Sequence, residues 1–303
     1  MTPATPNAGT HQRTLAAASS APRPIERRRA RGHVMIALAI GGSVIAVVPL
    51  VAIVWHLVSQ GLDALQFSFF TALPAPVGEP GGGMANAVAG TVLLVGLAAL
   101  IGVPLGVGAG LYAAEHRGQP LAVTVRFVSE VLTGLPSILI GVFAWEFLVR
   151  PAQHFSALAG GIALAVIMLP LVARATEEFV LLAPRPLFET ALALGYSHWR
   201  ASLAVVLRAA TPGIVTAVLI ATARIAGETA PLLFTAFGNQ YWSVSLRDPI
   251  SALPLQIYTY AISPYDEWRS LAFAGALVLI GMALVFSIAA RVATRRRYGR
   301  RHR

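Results

Sequence analysis

Long apolar stretches separated by short polar segments dominate the chain. Six of them are near or above the roughly 20 residues that a helix needs to cross a bilayer. Their Ala, Leu and Gly composition, without the alternation of barrel strands, favours helices, because backbone in lipid must satisfy its own hydrogen bonds. We therefore predict an all-α membrane protein with six transmembrane helices. These spans, numbered 1 to 6, are predicted at Val34–Val58, Ala87–Ala114, Phe127–Val149, Ala157–Val180, Ala209–Ala236 and Ser270–Ala290.

The composition agrees with this pattern and excludes several classes of enzyme. Of 303 residues, 56% are apolar and only 12% are charged, whereas soluble proteins average roughly 25% charged residues. The absence of cysteine excludes thiolate catalysis, iron–sulfur clusters and Cys-ligated zinc. All 23 basic residues are arginine, so the chain has neither the lysine of a P-loop nor a Schiff-base lysine. The scattered histidines have no metal-binding spacing. We predict no catalytic residue, metal or cofactor on this chain.

The arginines are distributed unevenly between the predicted loops. With the N-terminus in the cytoplasm, 19 of the 23 lie in cytoplasmic segments, whereas Arg150, Arg247 and Arg269 are external and Arg224 lies inside span 5. This positive-inside bias predicts a multi-pass membrane protein, surrounded by lipid, with both termini in the cytoplasm. The net charge of +10 is therefore mainly a topology signal, and we expect no nucleic-acid partner.

Three regions follow from this topology. Residues 1–33 are predicted to be a disordered basic cytoplasmic tail, residues 34–295 a six-helix transmembrane domain, and residues 296–303 a second basic cytoplasmic tail. The two long external loops, Ser59–Asn86 and Phe237–Arg269, are rich in aromatic residues. Such residues are typical of a membrane-interface belt, and they also suit a docking surface for an external partner.

The longest internal connection, residues 184–208 between spans 4 and 5, predicts a short helix. Pro186 can occupy the first turn of a helix that runs to Leu194, and Gly195 then ends it in a left-handed conformation. A helix of this length is unstable alone in water. It must therefore pack on another surface, either within an ordinary cytoplasmic hairpin or on a partner.

The sequence from Glu189 to Gly195, followed by Val205 and Leu207, resembles the EAA loop of bacterial ATP-binding-cassette (ABC) importer permeases. This resemblance implies a type I importer permease fold, in which the loop forms a coupling helix that sits in a cleft of the cytoplasmic ATPase. Arg208 stands where the family motif has proline. The residues implied in ATPase coupling are Phe188, Glu189, Thr190, Ala191 and Gly195.

Span 5 carries an arginine near its middle. Inserting Arg224 costs about 2.5–3.5 kcal/mol on translocon scales, so it needs a partner or a water-filled cavity. Glu228 lies one helical turn later and can pair with it. Such a pair either fixes helix packing or lines a path for an anion, since guanidinium groups match tetrahedral oxyanions. Pro231 further predicts a bent or broken helix that lines a cavity.

Other charges are predicted near the span ends. Arg174 and Glu177, three residues apart, share a face at the cytoplasmic end of span 4, and Glu130 is expected to pair with Arg126. Glu146 marks the outer end of span 3. Glycines repeat every fourth residue in span 2, which predicts close helix packing at Gly102, Gly106 and Gly110.

One stretch of span 5 indicates which group of importer permeases the chain resembles. Residues Ala223–Thr235, together with Leu135–Ile138, Met168–Leu171 and Asn239–Trp242, are similar to the PstA permease subunits of bacterial phosphate importers. The resemblance implies that Arg174, Glu177 and Arg224 are tied to the passage of inorganic phosphate. It also implies a sister permease PstC, two copies of the ATPase PstB, which binds ATP and Mg²⁺, and an external phosphate-binding protein PstS.

Two other kinds of transporter remain as alternatives. The first is an ABC importer permease for another oxyanion, such as sulfate or molybdate. The second is a secondary anion transporter working alone, although such proteins usually have repeated halves with paired broken helices, which this sequence does not show. A membrane scaffold without transport would leave Arg224 unexplained.

Overall fold

The computed structural model describes residues 24–76, 79 and 81–298, with side chains described from residue 32 to residue 292. It divides after His56 into two compact units, of which the first contains α1 up to that residue and the second the rest of the chain. The helices of the described residues are α1 (Pro24–Gly61), α2 (Phe67–Thr71), α3 (Ala85–Glu115), α4 (Pro120–Gly134), α5 (Ser137–Ala152), α6 (Ala157–Leu181), α7 (Arg185–Ala193), α8 (His198–Ala226), α9 (Ala230–Thr235), α10 (Leu253–Ala261) and α11 (Asp266–Tyr298).

The helices agree with the predicted all-α membrane architecture. By length and composition, five described helices, α1, α3, α6, α8 and α11, can cross a membrane, and the bent pair α4 and α5 supplies a sixth span. Spans 1, 2, 4 and 6 are thus single helices. Helix α1 already begins at Pro24, so the predicted disordered tail is helical over residues 24–33. Residues 1–23 and 299–303 lie outside the described residues.

Span 3 is a broken helix, where the sequence predicted a continuous one. Helices α4 and α5 meet at 105°. The cause is Pro136, which lacks a backbone N–H and disfavours helical backbone at the preceding residue. Leu135 accordingly has extended backbone, with φ −73° and ψ 137°.

Span 5 is broken as Pro231 predicted. Helix α8 ends at Ala226, and α9 starts at Ala230 with the proline in its first turn. Glu228 therefore lies in the break and not on a continuous helical face. Near its start α8 contains a π-helical turn, Ser202–Val206.

The glycines of α3 form a close seam with α6, as predicted. A Cβ added at Gly106 would lie 2.8 Å from the Cβ of Val172, and one at Gly110 would lie 2.3 Å from the carbonyl oxygen of Ala173. Backbones approach this closely only where side chains are missing. The seam continues into a buried cluster that joins α3, α6, α8 and α9 and includes Leu94, Leu164, Met168, Ile225 and Leu232.

The segment between α9 and α10 is fastened to the predicted external ends of α3 and α6. The Asn86 side chain donates a 2.6 Å hydrogen bond to the carbonyl of Asn239. The backbone N–H of Leu253 donates to the buried hydroxyl of Thr91 at 2.8 Å. Residue Ala157 also donates from its backbone to Asp248 at 3.0 Å. These bonds give the external loop a fixed shape.

Candidate functional site

A pocket of about 210 Å³ lies where the two broken spans meet. The break in span 3 contributes Leu135, Pro136 and Ser137 to its wall, and α6 contributes Ile167 and Leu171. Arg224 and Glu228, from the break in span 5, supply its charged groups. The pocket therefore has a wall of mainly apolar side chains with the hydroxyls of Thr133 and Ser137, and it contains two charged groups that the sequence singled out.

Arg224 and Glu228 form a loose pair. The Nε of Arg224 is 3.9 Å from Oε1 of Glu228, and their side chains are 55% and 17% exposed. This separation exceeds the length of a normal hydrogen bond. The guanidinium is therefore attracted to the carboxylate without committing its Nε–H donor to it. Its planar donors match an oxyanion that enters the pocket.

The start of α5 adds a further favourable feature for an anion. Its first residue, Ser137, lines the same pocket, and no side chain caps this end of the helix. The first amides of a helix lack intrahelical acceptors and carry the positive end of the helix dipole. The helix start and Arg224 therefore both favour negative charge in this space.

A second pocket of about 210 Å³ contains Arg174 and Glu177, which the structure thus separates from Arg224. Arg126 and Glu130 of α4 and Glu178 of α6 also line it. Nε of Arg126 lies 2.6 Å from Oε1 of Glu177, and a terminal nitrogen of Arg174 lies 3.2 Å from Oε1 of Glu130. Both ion pairs join α4 to α6.

This pairing differs from the prediction. Glu130 pairs with Arg174 instead of Arg126, and Glu177 pairs across helices instead of with its neighbour. An Arg followed by a Glu four residues later is the weaker order on one helix, and α6 offers partners of opposite charge. Arg126 is a site residue that the sequence analysis missed. The sequence pattern that could have indicated it is the presence of an Arg and a Glu at helical spacing in each of two apolar spans, because such pairs can also bind each other across helices.

The predicted coupling loop forms the expected short helix. Helix α7 covers Arg185–Ala193, and Gly195 has the predicted left-handed backbone at φ +85°. Ala191 is buried, and the Phe188 ring stands edge-on to His198 at 5.0 Å. The backbone of Tyr196 donates to Ala191 at 3.1 Å and closes the turn.

The solvent-exposed residues of this loop include both polar and large apolar side chains. Glu189 is exposed, and the Thr190 hydroxyl donates to the carbonyl of Pro186 at 2.7 Å. Several large apolar residues nearby are exposed, namely Leu187, Leu192, Leu194, Tyr196 and Trp199. Large exposed apolar residues concentrated in one short segment are a feature of interfaces with another protein.

The sequence matches a known family and named relatives. Residues 106–298 match the family described as binding-protein-dependent transport system inner membrane component. The chain is 43% identical over 266 residues to the phosphate transport system permease protein PstA of Yersinia pestis, covering 88% of this chain and 90% of that protein. The chain belongs to the PstA permease family. A more distant PstA relative, PstA 1 of Mycobacterium tuberculosis H37Rv, is 33% identical, with 89% of this chain and 91% of that protein covered.

Solved structures share the fold of this PstA-family chain. A bacterial alginate ABC transporter in complex with its periplasmic protein gives a TM-score of 0.62 at 15% identity, over 90% of this chain and 98% of that one. The inward-facing MetNI methionine ABC transporter gives 0.54 at 22% identity, over 70% and 93%. The fold is therefore that of a type I ABC importer permease. The chain is an inner-membrane, multi-pass permease subunit of an ABC transporter and not its ATPase.

Proposed function

We propose that this chain forms part of the pathway through which an ATP-driven, binding-protein-dependent importer moves inorganic phosphate. The main support is the pocket at the two helix breaks, which is lined by Arg224, 55% exposed, and by Ser137 at the start of α5. The names of its PstA relatives, which are phosphate transport permeases, support phosphate as the anion.

The pocket chemistry suits an ion that must bind and then leave. Arg224 offers a planar set of donors to the phosphate oxygens, and the first amides of α5 add positive potential. Glu228, at 3.9 Å, competes for the same guanidinium. It therefore lowers the affinity of the pocket for the anion and makes release fast enough for transport.

Helix α8 is the proposed mechanical link between the ATPase and this pocket. It starts at His198, whose ring contacts Phe188 of the coupling helix, and its last turn carries Arg224. A displacement of α7 by an ATPase subunit would therefore be carried along one helix to the charged group of the pocket. Rigid-body motion of this kind is a common route for switching access.

The partners follow from the same proposal. A sister permease, PstC, would complete the pathway, and two copies of the ATPase PstB would bind ATP and Mg²⁺ and take up the coupling loops. The exposed apolar residues around α7 support this contact. A phosphate-binding protein, PstS, would dock on the external loops. Both termini of this chain would lie in the cytoplasm, because the arginines concentrate there.

The decisive experiment is purification of the complete complex from phosphate-starved cells and reconstitution into proteoliposomes. Phosphate-loaded binding protein is expected to stimulate ATP hydrolysis and uptake of labelled phosphate, and excess sulfate is expected to leave uptake unchanged. Stimulation by sulfate-loaded protein instead would assign another oxyanion. Transport without ATP would support a secondary transporter and overturn the proposal.

A further inference from the structure

Four charged side chains face one another at the cytoplasmic end of the spans. Arg126 and Glu130 lie one turn apart on α4, and Arg174 and Glu177 lie about one turn apart on α6. They pair crosswise, Arg126 with Glu177 at 2.6 Å and Glu130 with Arg174 at 3.2 Å. On each helix Arg precedes Glu in the sequence, but the crossed pairing places each Arg opposite the Glu of the other helix.

This order fixes the register of α4 on α6. Sliding one helix by a turn would bring Arg126 towards Arg174, or Glu130 towards Glu177. Like charges placed together are unfavourable, and more so at Arg126 and Glu177, whose side chains are 31% and 16% exposed, than at Arg174 and Glu130, at 47% and 61%. The contact therefore has one favourable register. We call this four-charge contact the latch.

Arg126 extends this latch to a third helix. One of its terminal nitrogens donates a 2.6 Å hydrogen bond to the carbonyl of Ala113, in the last turn of α3. Carbonyls in the last turn of a helix have no intrahelical donor. Arg126 thus connects α4 to both α3 and α6. Helix α4 is separated from α5 by the break at Leu135, so it can move without carrying the outer half of span 3 with it.

The pocket beside the latch contains the same four charges. When both pairs are made, their formal charges cancel, and Glu178 adds a negative charge to the lining. An anion therefore finds no net attraction while the pairs are intact. It gains guanidinium contacts only by replacing the carboxylates. Ser129, between the two charged residues of α4, lines this pocket and is 4% exposed.

We infer that Arg126 and Glu130, with Arg174 and Glu177, form an inner gate whose crossed ion pairs close the cytoplasmic end of the pathway. The gate opens when α4 moves away from α6, and the passing oxyanion then takes the place of the carboxylates on the arginines. This inference rests on the proposed transport function. It assigns to Arg126 and Glu130 a positioning role in access, in addition to any contact with the anion.

The experiment measures access to the gate pocket and does not depend on transport. Since the chain contains no cysteine, S129C is its single thiol. Inside-out membrane vesicles that contain the complete complex are treated with a membrane-impermeant maleimide, and labelling of this chain is followed with time. The S129C chain should label slowly, because Ser129 is buried in the paired state.

Gate variants are then compared in the S129C background. E130Q removes one pair and should label about threefold faster, as expected for loss of one partly exposed ion pair. R126E places like charges together and should label at least about tenfold faster. The reversed pair R126E/E177R restores the complementary charges, although not the hydrogen bond to Ala113, and should label clearly more slowly than R126E. The matched control is E146Q, which removes the Glu146–Arg150 pair within α5 and should not change the rate.

The outcomes separate the gate from the substrate assignment. Equal labelling of R126E and S129C, or a reversed pair that labels as fast as R126E, overturns the gate. If R126E does not accumulate in the membrane, E130Q decides, and labelling of E130Q at the S129C rate overturns the gate. Gated labelling in a complex that takes up no phosphate would leave the gate standing and overturn the proposed substrate. Phosphate uptake with ungated labelling would do the reverse.

Discussion

Nε of Arg126 donates a 2.6 Å hydrogen bond to Oε1 of Glu177 on another helix, although the two residues are 51 positions apart in the sequence. By contrast, Nε of Arg224 lies 3.9 Å from Oε1 of Glu228, only four residues later in the sequence. The distant pair is thus the tight one and the local pair is the loose one. A tight pair fixes helices in place, whereas a loose pair leaves donors for a ligand. The two arginines are accordingly expected to respond differently to substitution.

Replacing Arg224 should affect transport more than assembly. Arg224→Gln removes the charge that faces the pocket, and the loss of charged hydrogen bonds worth about 1.5–3 kcal/mol should lower phosphate uptake by about 10- to 100-fold. Arg224→Lys keeps the charge without the planar donors and should retain part of the uptake. The measurement is initial uptake of labelled phosphate, normalised to the amount of complex in the membrane.

Arg150→Gln is the matched control for this experiment. It removes an exposed arginine that also pairs with a glutamate four residues away, on α5. Uptake should stay near that of the unchanged chain. Unchanged uptake in Arg224→Gln would contradict the role of Arg224 and favour a purely structural pair.

The seam between α3 and α6 predicts a selective effect of added methyl groups. In Gly110→Ala the new Cβ would lie 2.3 Å from the carbonyl oxygen of Ala173 and 2.7 Å from the Cβ of Thr176. Overpacking of this kind costs about 1–3 kcal/mol, so the melting temperature of the purified complex should fall. Gly108→Ala meets no atom within 4 Å and should leave the melting temperature unchanged or raise it slightly. Equal melting of both variants would contradict the seam.

Thr91 should stabilise the external loop through its hydroxyl. This buried group accepts a 2.8 Å hydrogen bond from the backbone of Leu253 and donates one of 2.8 Å to the carbonyl of Ala87. Thr91→Val leaves the Leu253 amide without this acceptor, at a cost of about 1–3 kcal/mol. Proteolysis between residues 237 and 252 should become faster. Thr91→Ser keeps the hydroxyl and should be cut at the original rate, and equal cutting of all three proteins would refute the prediction.

Gly195 should be required for attachment of the ATPase. Gly195 has φ +85°, and a Cβ added to it would have no atom within 4 Å. Any effect of a substitution therefore comes from backbone strain and not from a steric clash. Gly195→Ala costs about 1–2 kcal/mol in this conformation and should reduce co-purification of the ATPase subunit. Gly195→Asn, better tolerated at such a site, should retain more of it. Full recovery of the ATPase with Gly195→Ala would show that the turn is not needed for attachment.

The sequence predicted the features that depend on local chemistry. Span positions follow from apolar length, the end of α7 follows from Gly195, and the break in span 5 follows from Pro231. The break in span 3 was missed. Pro136 stands in an apolar run, where a proline is compatible with either a kink or a full break, and the packing of neighbouring helices decides between them.

The ion pairs show the other limit of sequence reasoning. Arg126 and Glu130 have the spacing of a local pair, and so have Arg174 and Glu177. Local spacing identifies which charges share a face, but it does not show which helix lies opposite. The crossed pairing depends on how α4 lies against α6, which is set by the backbone break at Leu135 and by packing far along the chain.

The glycine seam also has a consequence for which helices can shift relative to one another. Backbones that touch without intervening side chains have little room to slide, so we expect α3 and α6 to move as one rigid pair. Arg126 is bonded to both members of that rigid pair, through Ala113 of α3 and Glu177 of α6. Releasing one side chain would therefore free α4 from this rigid pair without requiring α3 and α6 to change their packing.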